Sequence, residues 1–231
     1  MKVTYLGHSG FAVDLGRNML VFDYYKGELP AKAVDRKLYI FSSHVHYDHF
    51  QRKIFDWAKD YDVTYILSDD IRSSVEKGQA LEGKVHYIGP RQTLQADEIF
   101  VQTLRSTDEG VAFLVNAEGK TLYHGGDLNW WHWEEESRAF NEMMKRNYQY
   151  EIRKIEGTRI DAAFVPLDPR QEEQYYWGMD YFMRHTDTKV VFPMHMWGRF
   201  EVYDWLMENP EAAGYKDKVM QITQTPQEFE L

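Results

Sequence analysis

The stretch 42-SSHVHYDHF-50 places three histidines and one aspartate within six positions, in a chain of 231 residues with nine histidines in all. The apolar run 37-KLYIFSS-43 leads into it, and the apolar-periodic segment 50-FQRKIFDWAKD-60 leaves it. On a strand end, positions i and i+2 project to one side. His44 and His46 can therefore offer imidazoles to one ion while Val45 faces away. The chain then turns into a helix, which carries Asp48 and His49 toward a second position close by. Neutral imidazole and carboxylate suit zinc, manganese or iron, and a carboxylate can bridge two ions. A histidine-rich surface loop, or core histidines satisfied by hydrogen bonds, would account for one or two of these residues. Neither accounts for H-x-H-x-D-H at the mouth of a strand.

With 43% of its residues hydrophobic, the chain can bury a sizeable core. A single domain over 1–231 is the expected organisation, since sheet-and-helix folds reach this size undivided. No interior run of Gly, Ser or Pro reads as a linker. The formal net charge of -10, from 37 acids against 27 bases, counts against nucleic acid as a partner, which needs clustered Lys and Arg. The chain has no cysteine, which excludes disulfides, a thiolate zinc site and a thiol nucleophile. MKVTYLGHSGF alternates as a strand does and carries no signal-peptide core. No apolar stretch approaches the ~18 residues of a membrane span. The expectation is a soluble, cytoplasmic protein with no membrane partner.

Alternation and the Gly and Asn breaks mark strands at KVTYLG, GFAVDLG, NMLVFD and KLYIFSS, then at VTYILS beyond the histidines. DDIRSSVEKG reads as a short helix. KVHYIG, QTLQAD, EIFVQTLRS, GVAFLVNAEG and KTLYHGG follow as strands, the last two paired through Asn-Ala-Glu-Gly. The longest helix is expected at EEESRAFNEMMKRNYQYEIRKIE, with its acids in the first turn. Strand IDAAFVP, helix QEEQYYWGMDYFMRHT, strand KVVFPMH, helix EVYDWLMEN and a closing strand KVMQIT complete the reading. A strand-rich first half and an alternating second half suit two packed sheets covered outside by helices. The other arrangement is two domains divided near Trp130.

HVHYDH, residues 44–49, resembles the H-x-H-x-D-H signature of the metallo-β-lactamase-fold hydrolases. MKVTYLGHSGFAVD resembles the opening hairpin of the branch that contains L-ascorbate phosphate lactonase. LVFDYY resembles an early strand ending in aspartate, LYHGGD a strand ending in Gly-Asp, and VVFPMH a late strand ending in histidine. The matches run from Thr4 to His195. The resemblance implies an α/β (α+β) fold, a four-layer αββα sandwich of two mixed β-sheets flanked by helices, with the site at one edge of both. It implies that His44 and His46 bind one ion and that Asp48, His49 and His195 bind a second. Asp127 would bridge them, and Asp23 would support the loop by hydrogen bonding. Taken alone, Asp127 would serve equally as a turn cap and His195 as a buried core histidine.

The family supplies one more histidine to the first ion, from the loop before the strand that GVAFLV resembles. This chain has TLRSTDEGVAF there, so Ser106 or Thr107 stands in that region, and a hydroxyl is a poor ligand beside imidazole. The first ion is then weak or absent, or Asp108 reaches it, or His8 of LGHSGF fills the gap; His8 reads equally as a supporting group. One or two divalent ions are expected, zinc or manganese first and iron compatible. His124 reads as structural, and His86 and His185 carry no functional signal. DLNWWHWEEES puts three tryptophans in four residues just after Asp127. Trp130, Trp131, His132 and Trp197 are candidates for a pocket wall, and Arg170 and Arg199 for meeting an anionic group. The same aromatics would equally cover a hydrophobic edge or a subunit contact in a homo-oligomer.

The leading reading is a metal-dependent hydrolase acting on a small-molecule substrate. The ion brings a water's pKa near neutrality and stabilises the oxyanion that develops on a carbonyl or phosphoryl centre. Asp48 is the expected catalytic residue, holding the water and managing its proton. A lactone, ester or related bond in a small polar substrate comes first, and a phosphodiesterase or nuclease of the same fold second. A non-catalytic metal-binding homologue that has lost one ligand is the alternative of a different class. Redox chemistry at a diiron centre is weaker, since nothing here resembles a flavin partner domain.

Overall fold

Met19, Leu20, Val21 and Phe22 are consecutive and all buried, yet they pack into two different cores. Alternate residues of a strand face opposite sides of a sheet, so this strand must be covered on both. In the computed structural model, which describes residues 1–30, 33, 35–75 and 84–231, it is. The strands are β1 (Lys2–Gly7), β2 (Gly10–Asp14), β3 (Asn18–Phe22), β4 (Lys37–Ser42), β5 (Val63–Ser68), β6 (Val85–Ile88), β7 (Thr93–Ala96) and β8 (Ile99–Arg105). They continue as β9 (Val111–Ala117), β10 (Lys120–His124), β11 (Arg159–Ile160), β12 (Ala162–Pro166), β13 (Asp187–Thr188), β14 (Val191–Met194) and β15 (Gln227–Glu230). The α-helices are α1 (Arg138–Ile152), α2 (Trp177–His185) and α3 (Val202–Glu208).

Among the described residues, one sheet runs β15-β1-β2-β3-β4-β5-β6 and a second runs β14-β12-β10-β9-β8-β7. Both are mixed. The first is antiparallel from β15 to β3 and parallel from β3 to β6. The second is parallel over β14-β12-β10 and antiparallel beyond. Phe11 against Phe164 (ring centroids 4.4 Å apart) and Phe41 against Phe113 (5.2 Å) knit the two together. Each fully buried side chain of this size contributes on the order of 1.5–3 kcal/mol. On the outside of the second sheet, Tyr123 packs on Phe182 of α2 at 4.6 Å. On the outside of the first, Ile54 and Ile71 from two short 3-10 segments join Met19, Val21, Leu38 and Ile40.

The expected four layers are present, with local corrections. The segment after the histidines is a 3-10 helix, Arg52–Lys59, with Ile54 fully buried and Phe55, Trp57 and Ala58 packed beside it on the same core. DDIRSSVEKG forms a 3-10 helix only over Asp69–Ser74; residues 76–78 of that expectation lie outside the described residues. Helix α1 begins after Ser137, whose Oγ accepts from Phe140 N–H, so the acids of EEES precede the helix instead of filling its first turn. QEEQYYWGMDYFMRHT splits into a 3-10 turn, Pro169–Gln174, and α2. KVMQIT is not a strand: it makes a single bridge, Val191 to Val219. The Gln227 side chain instead accepts from Thr223 N–H and donates to Gln221 O, and the closing strand is β15, beside β1. The hairpin β9–β10 forms as expected. Glu118 (φ 47°) and Gly119 (φ 73°) give its two-residue turn the left-handed backbone such turns require.

Candidate metal centre

Seven strands deliver side chains to one rim, each from just beyond its carboxyl end. His8 follows β1, Asp23 follows β3, and the 44–49 loop follows β4. Asp108 follows β8, Asp127 follows β10, Asp168 follows β12 and His195 follows β14. His195 N–H donates to His8 O at 3.2 Å, tying the two sheets at this edge. His8, Asp23, His195 and Trp197 all have left-handed backbone, at φ 55°, 42°, 63° and 55°. Such conformations cost of order 1–3 kcal/mol each and gather where a site must be aimed. The 44–49 loop is pressed onto two glycines. A Cβ on Gly110 (φ +68°) would lie 2.0 Å from Ser43 O, and one on Gly126 (φ +51°) 2.6 Å from Ser43 Cβ.

Buried carboxylates aim the rings. Asp23 Oδ1 accepts from Ser43 N–H at 2.7 Å, and its Oδ2 accepts from Ser43 Oγ and from His49 Nδ1, both at 2.6 Å. Having given its proton to Asp23, Ser43 Oγ accepts from His44 Nδ1 at 3.0 Å. Asp168 Oδ2 accepts from His195 Nδ1 at 2.8 Å and is itself clamped by Arg170 Nη2 at 2.5 Å. These partners favour a proton on Nδ1 in all three histidines and turn Nε2 inward, the orientation metal-ligating histidines take.

Two groups of four result, with ligand atoms within 4.8 Å of one another in each: His8, Asp48, His49 and His195; and His44, His46, Asp108 and Asp127. Asp127 spans them. Its Oδ1 lies 3.3 Å from His49 Nε2 and 3.5 Å from His195 Nε2, and its Oδ2 lies 3.7 Å from His44 Nε2. Two atoms each ~2.1 Å from one ion at a tetrahedral angle stand about 3.4 Å apart. His8 Nε2, His44 Nε2, His49 Nε2 and Asp127 Oδ1 are buried and make no hydrogen bond among the described residues. Leaving a buried polar atom unpaired costs about 1–3 kcal/mol. Four along one rim are explained by cations held in the two groups, and each donor set fits one.

The electrostatics agree. Burial pushes His49 down, but Asp127 and Asp23 outweigh it and hold the ring at about 9. Burial pushes Asp23 up, but His124 and His49 bring it to about 2. Burial, followed by the neighbouring His49, lowers His44 to about 4. Burial raises Asp108, and the nearby Asp127 carboxylate adds to the rise. A rim that crowds carboxylates together and pulls a proton onto one imidazole is a rim that attracts positive charge.

All six residues expected as ligands, His44, His46, Asp48, His49, Asp127 and His195, converge here, and Asp23 supports the loop. On the first-ion side it is Asp108, not Ser106 or Thr107, that joins His44, His46 and Asp127. Ser106 Oγ accepts from Asp108 N–H at 3.1 Å and so presents that carboxylate. His8 does not fill the gap on that side: it joins the Asp48 half, with Nε2 3.1 Å from Asp48 Oδ2. His124 is structural, donating to Ser9 O at 2.9 Å and stacked on Phe22.

The expected pocket divides. Trp131 is buried, donates from Nε1 to Asp127 O at 3.0 Å and sets its ring 5.6 Å from His195. Trp130 and His132 instead line a cavity of about 610 Å³ with Trp177 and Tyr181, which includes none of the eight clustered residues. Trp197, its ring 4.5 Å from that of His8, lines a cavity of about 200 Å³ that does reach His8 and Asp48. Arg170 is committed to Asp168, and Arg199 pairs with Glu201 at 3.0 Å on the surface; neither faces that smaller cavity. Sequence reasoning missed Asp168, Tyr25 and Lys26. Asp168 carried the same signal as Asp23, an acid just past an apolar strand; the other two lie on a loop with no periodic pattern.

No protein-family model matches the chain. It is similar to a UPF0173 metal-dependent hydrolase of Heliobacterium modesticaldum, at 26% identity over 242 residues, covering 96% of this chain and 91% of that protein. Among solved structures it resembles Igni18, described as a novel metallo hydrolase from Ignicoccus hospitalis. That likeness has a TM-score of 0.66 at 17% identity over 100% of both chains. It also resembles YhfI, a metallo-β-lactamase fold protein from Bacillus subtilis, with a TM-score of 0.65 at 15% identity over 99% of this chain and 98% of that one.

Proposed function

We propose, for a chain that has the metallo-β-lactamase fold and is a homologue of the UPF0173 metal-dependent hydrolases, the activity of a metal-dependent hydrolase on small polar substrates. The observation that carries this reading is the set of buried Nε2 atoms and Asp127 Oδ1 aimed at one another without hydrogen bonds. Divalent ions held there supply Lewis acidity and an activated water. Asp127 spans the two halves, and Asp23 and Asp168 keep the rings oriented. Asp48 lines the small cavity. Burial pushes its carboxyl up, but the adjoining His8 and His49 rings outweigh this and hold it ionised, ready to accept a hydrogen bond from water. Trp131 closes the site beside His195.

A cavity of about 200 Å³ suits a small molecule rather than a polymer strand. Lactone and ester hydrolysis is the preferred chemistry, and the resemblance of the opening hairpin to the lactonase branch supports it. The test is a panel of lactones, carboxyl esters and phosphodiesters offered to chelator-stripped protein reloaded with zinc or manganese. Metal-dependent turnover of a lactone or ester is expected, with kcat falling about 10²–10⁴-fold in Asp48→Asn. Two bound ions without turnover on any panel member would overturn the reading in favour of a non-catalytic metal-binding protein.

A further inference from the structure

The two halves of the centre are built unequally. His8, Asp48, His49 and His195 offer three nitrogens and one oxygen; their side chains are 5%, 11%, 0% and 4% exposed. Asp23 and Asp168 carboxylates lock two of those rings. His44, His46, Asp108 and Asp127 offer two nitrogens and two oxygens. There the side chains of His46 and Asp108 are each 46% exposed, and the His46 ring makes no hydrogen bond among the described residues. It lies 3.6 Å from Asp108 and 3.7 Å from Glu109, and these contacts are too long to fix it. Counting Asp127 Oδ1 toward the buried half as well leaves the contrast in place, at three nitrogens to two oxygens against two to two.

We propose that the halves hold their ions differently: the His8 half retains a zinc-like ion, while the Asp108 half is an exchangeable seat with a greater relative preference for a harder ion such as manganese. The inference rests on the reading of this rim as a metal centre and extends it to which ion sits where. Two physical arguments converge. Imidazole-rich sites favour zinc, and carboxylate-rich ones shift selectivity toward manganese or magnesium. Ligands whose orientation is fixed by a second carboxylate hold metal about 10–100-fold tighter than unsupported ones, and burial slows the water entry that release needs. Asp108 and His8 are the two residues that create the difference. One replaces a nitrogen by an oxygen on the exposed side, and the other adds a nitrogen on the buried side.

The experiment uses the full chain, stripped by chelator, given one equivalent of zinc and then excess manganese. Bound metals are read by elemental analysis after desalting and by the manganese electron paramagnetic resonance signal. The expected result is one zinc and one manganese per chain, with a brief chelator wash removing the manganese and leaving the zinc. Asp108→His should raise affinity for a second zinc about tenfold or more and reduce manganese occupancy. His8→Ala should weaken the retained zinc by about tenfold with the manganese signal kept. Circular dichroism confirms that each variant is folded, and Asp108→Asn, which keeps the size of the exposed side chain, checks that the charge is what manganese needs. Two zinc ions of equal affinity and equal exchange, or a zinc-to-manganese ratio unmoved by Asp108→His, would overturn this inference alone. A chain that binds no divalent ion would overturn the metal-centre reading beneath it.

Discussion

Asp168 Oδ2 accepts the Nδ1 proton of His195 at 2.8 Å, so a carboxylate 27 residues earlier decides which way the last histidine of the centre faces. Replacing it with alanine frees the ring and lets the proton move to Nε2. Metal affinity should fall about 10–100-fold in Asp168→Ala, measured by competition with a chromophoric chelator. Arg170→Ala keeps the carboxylate and removes only its clamp, so its loss should be smaller. Equal binding by Asp168→Ala and the unmodified chain would remove Asp168 from the site.

Asp23 makes three hydrogen bonds and is fully buried. Asp23→Ala should cost about 3–5 kcal/mol in urea unfolding, because His49 then loses the partner its buried ring depends on.

The metal-free chain should have a defined pH window. Asp23 is lowered from 3.8 to about 2, so its contribution is present above 3.8 and is lost as pH falls through about 2. His49 is raised from 6.5 to about 9, so its contribution is present below 6.5 and is lost as pH rises through about 9. His44 is lowered from 6.5 to about 4, so its contribution is present above 6.5 and is lost as pH falls through about 4. Stability of the stripped protein should therefore peak near pH 6.5. Saturation with zinc should extend it to higher pH, because the ion takes the neutral ring. A melting temperature still rising at pH 9 without metal would contradict this.

Gly110→Ala should be damaging far beyond the loss of a hydrogen atom. Its methyl would meet Ser43 O at 2.0 Å on a backbone of φ +68°, and Ser43 is the neighbour of His44. A loss of at least about 2 kcal/mol, with weakened metal binding, is expected from thermal melts. Gly119→Ala is the control. Nothing lies within 4 Å of that added carbon, so only the backbone cost appears and metal content stays unchanged.

Lys26 lines the cavity that reaches Asp48. Its ammonium lies 5.4 Å over the Tyr25 ring and forms no salt bridge among the described residues. For an anionic small substrate, Lys26→Ala should raise KM about fivefold, the effect of roughly 1 kcal/mol, with kcat kept. An unchanged KM would place the anionic group elsewhere.

Much of the fold was legible because strand ends coincided with chemistry. KLYIFSS ran into the histidines, LVF ended at Asp23, and VVFPM ended at His195, each a local pattern. What stayed hidden were approaches between distant segments. Nothing within LGHSGF says that His8 will meet Asp48, and nothing within RSTDEG says that a serine will turn its neighbour's carboxylate toward His46. Both depend on how the β1–β2 and β8–β9 turns pack against the loop after β4. The 3-10 segments were read as helices because apolar spacing of three and four residues is shared by both over so short a run. Arg199, expected to meet an anionic group, instead gives its charge to Glu201, two residues on.

The spread of the ligands along the chain also sets an order of assembly during synthesis. His44, His46, Asp108 and Asp127 have all left the ribosome well before His195 is made, so the more exposed half is the first to be finished. The more buried half waits for His195, which follows β14 and donates from its backbone N–H to His8 O in the turn between β1 and β2. The half that holds His8 and Asp48 is thus completed only after every residue of the other half has been made, when β14 packs beside the turn between β1 and β2.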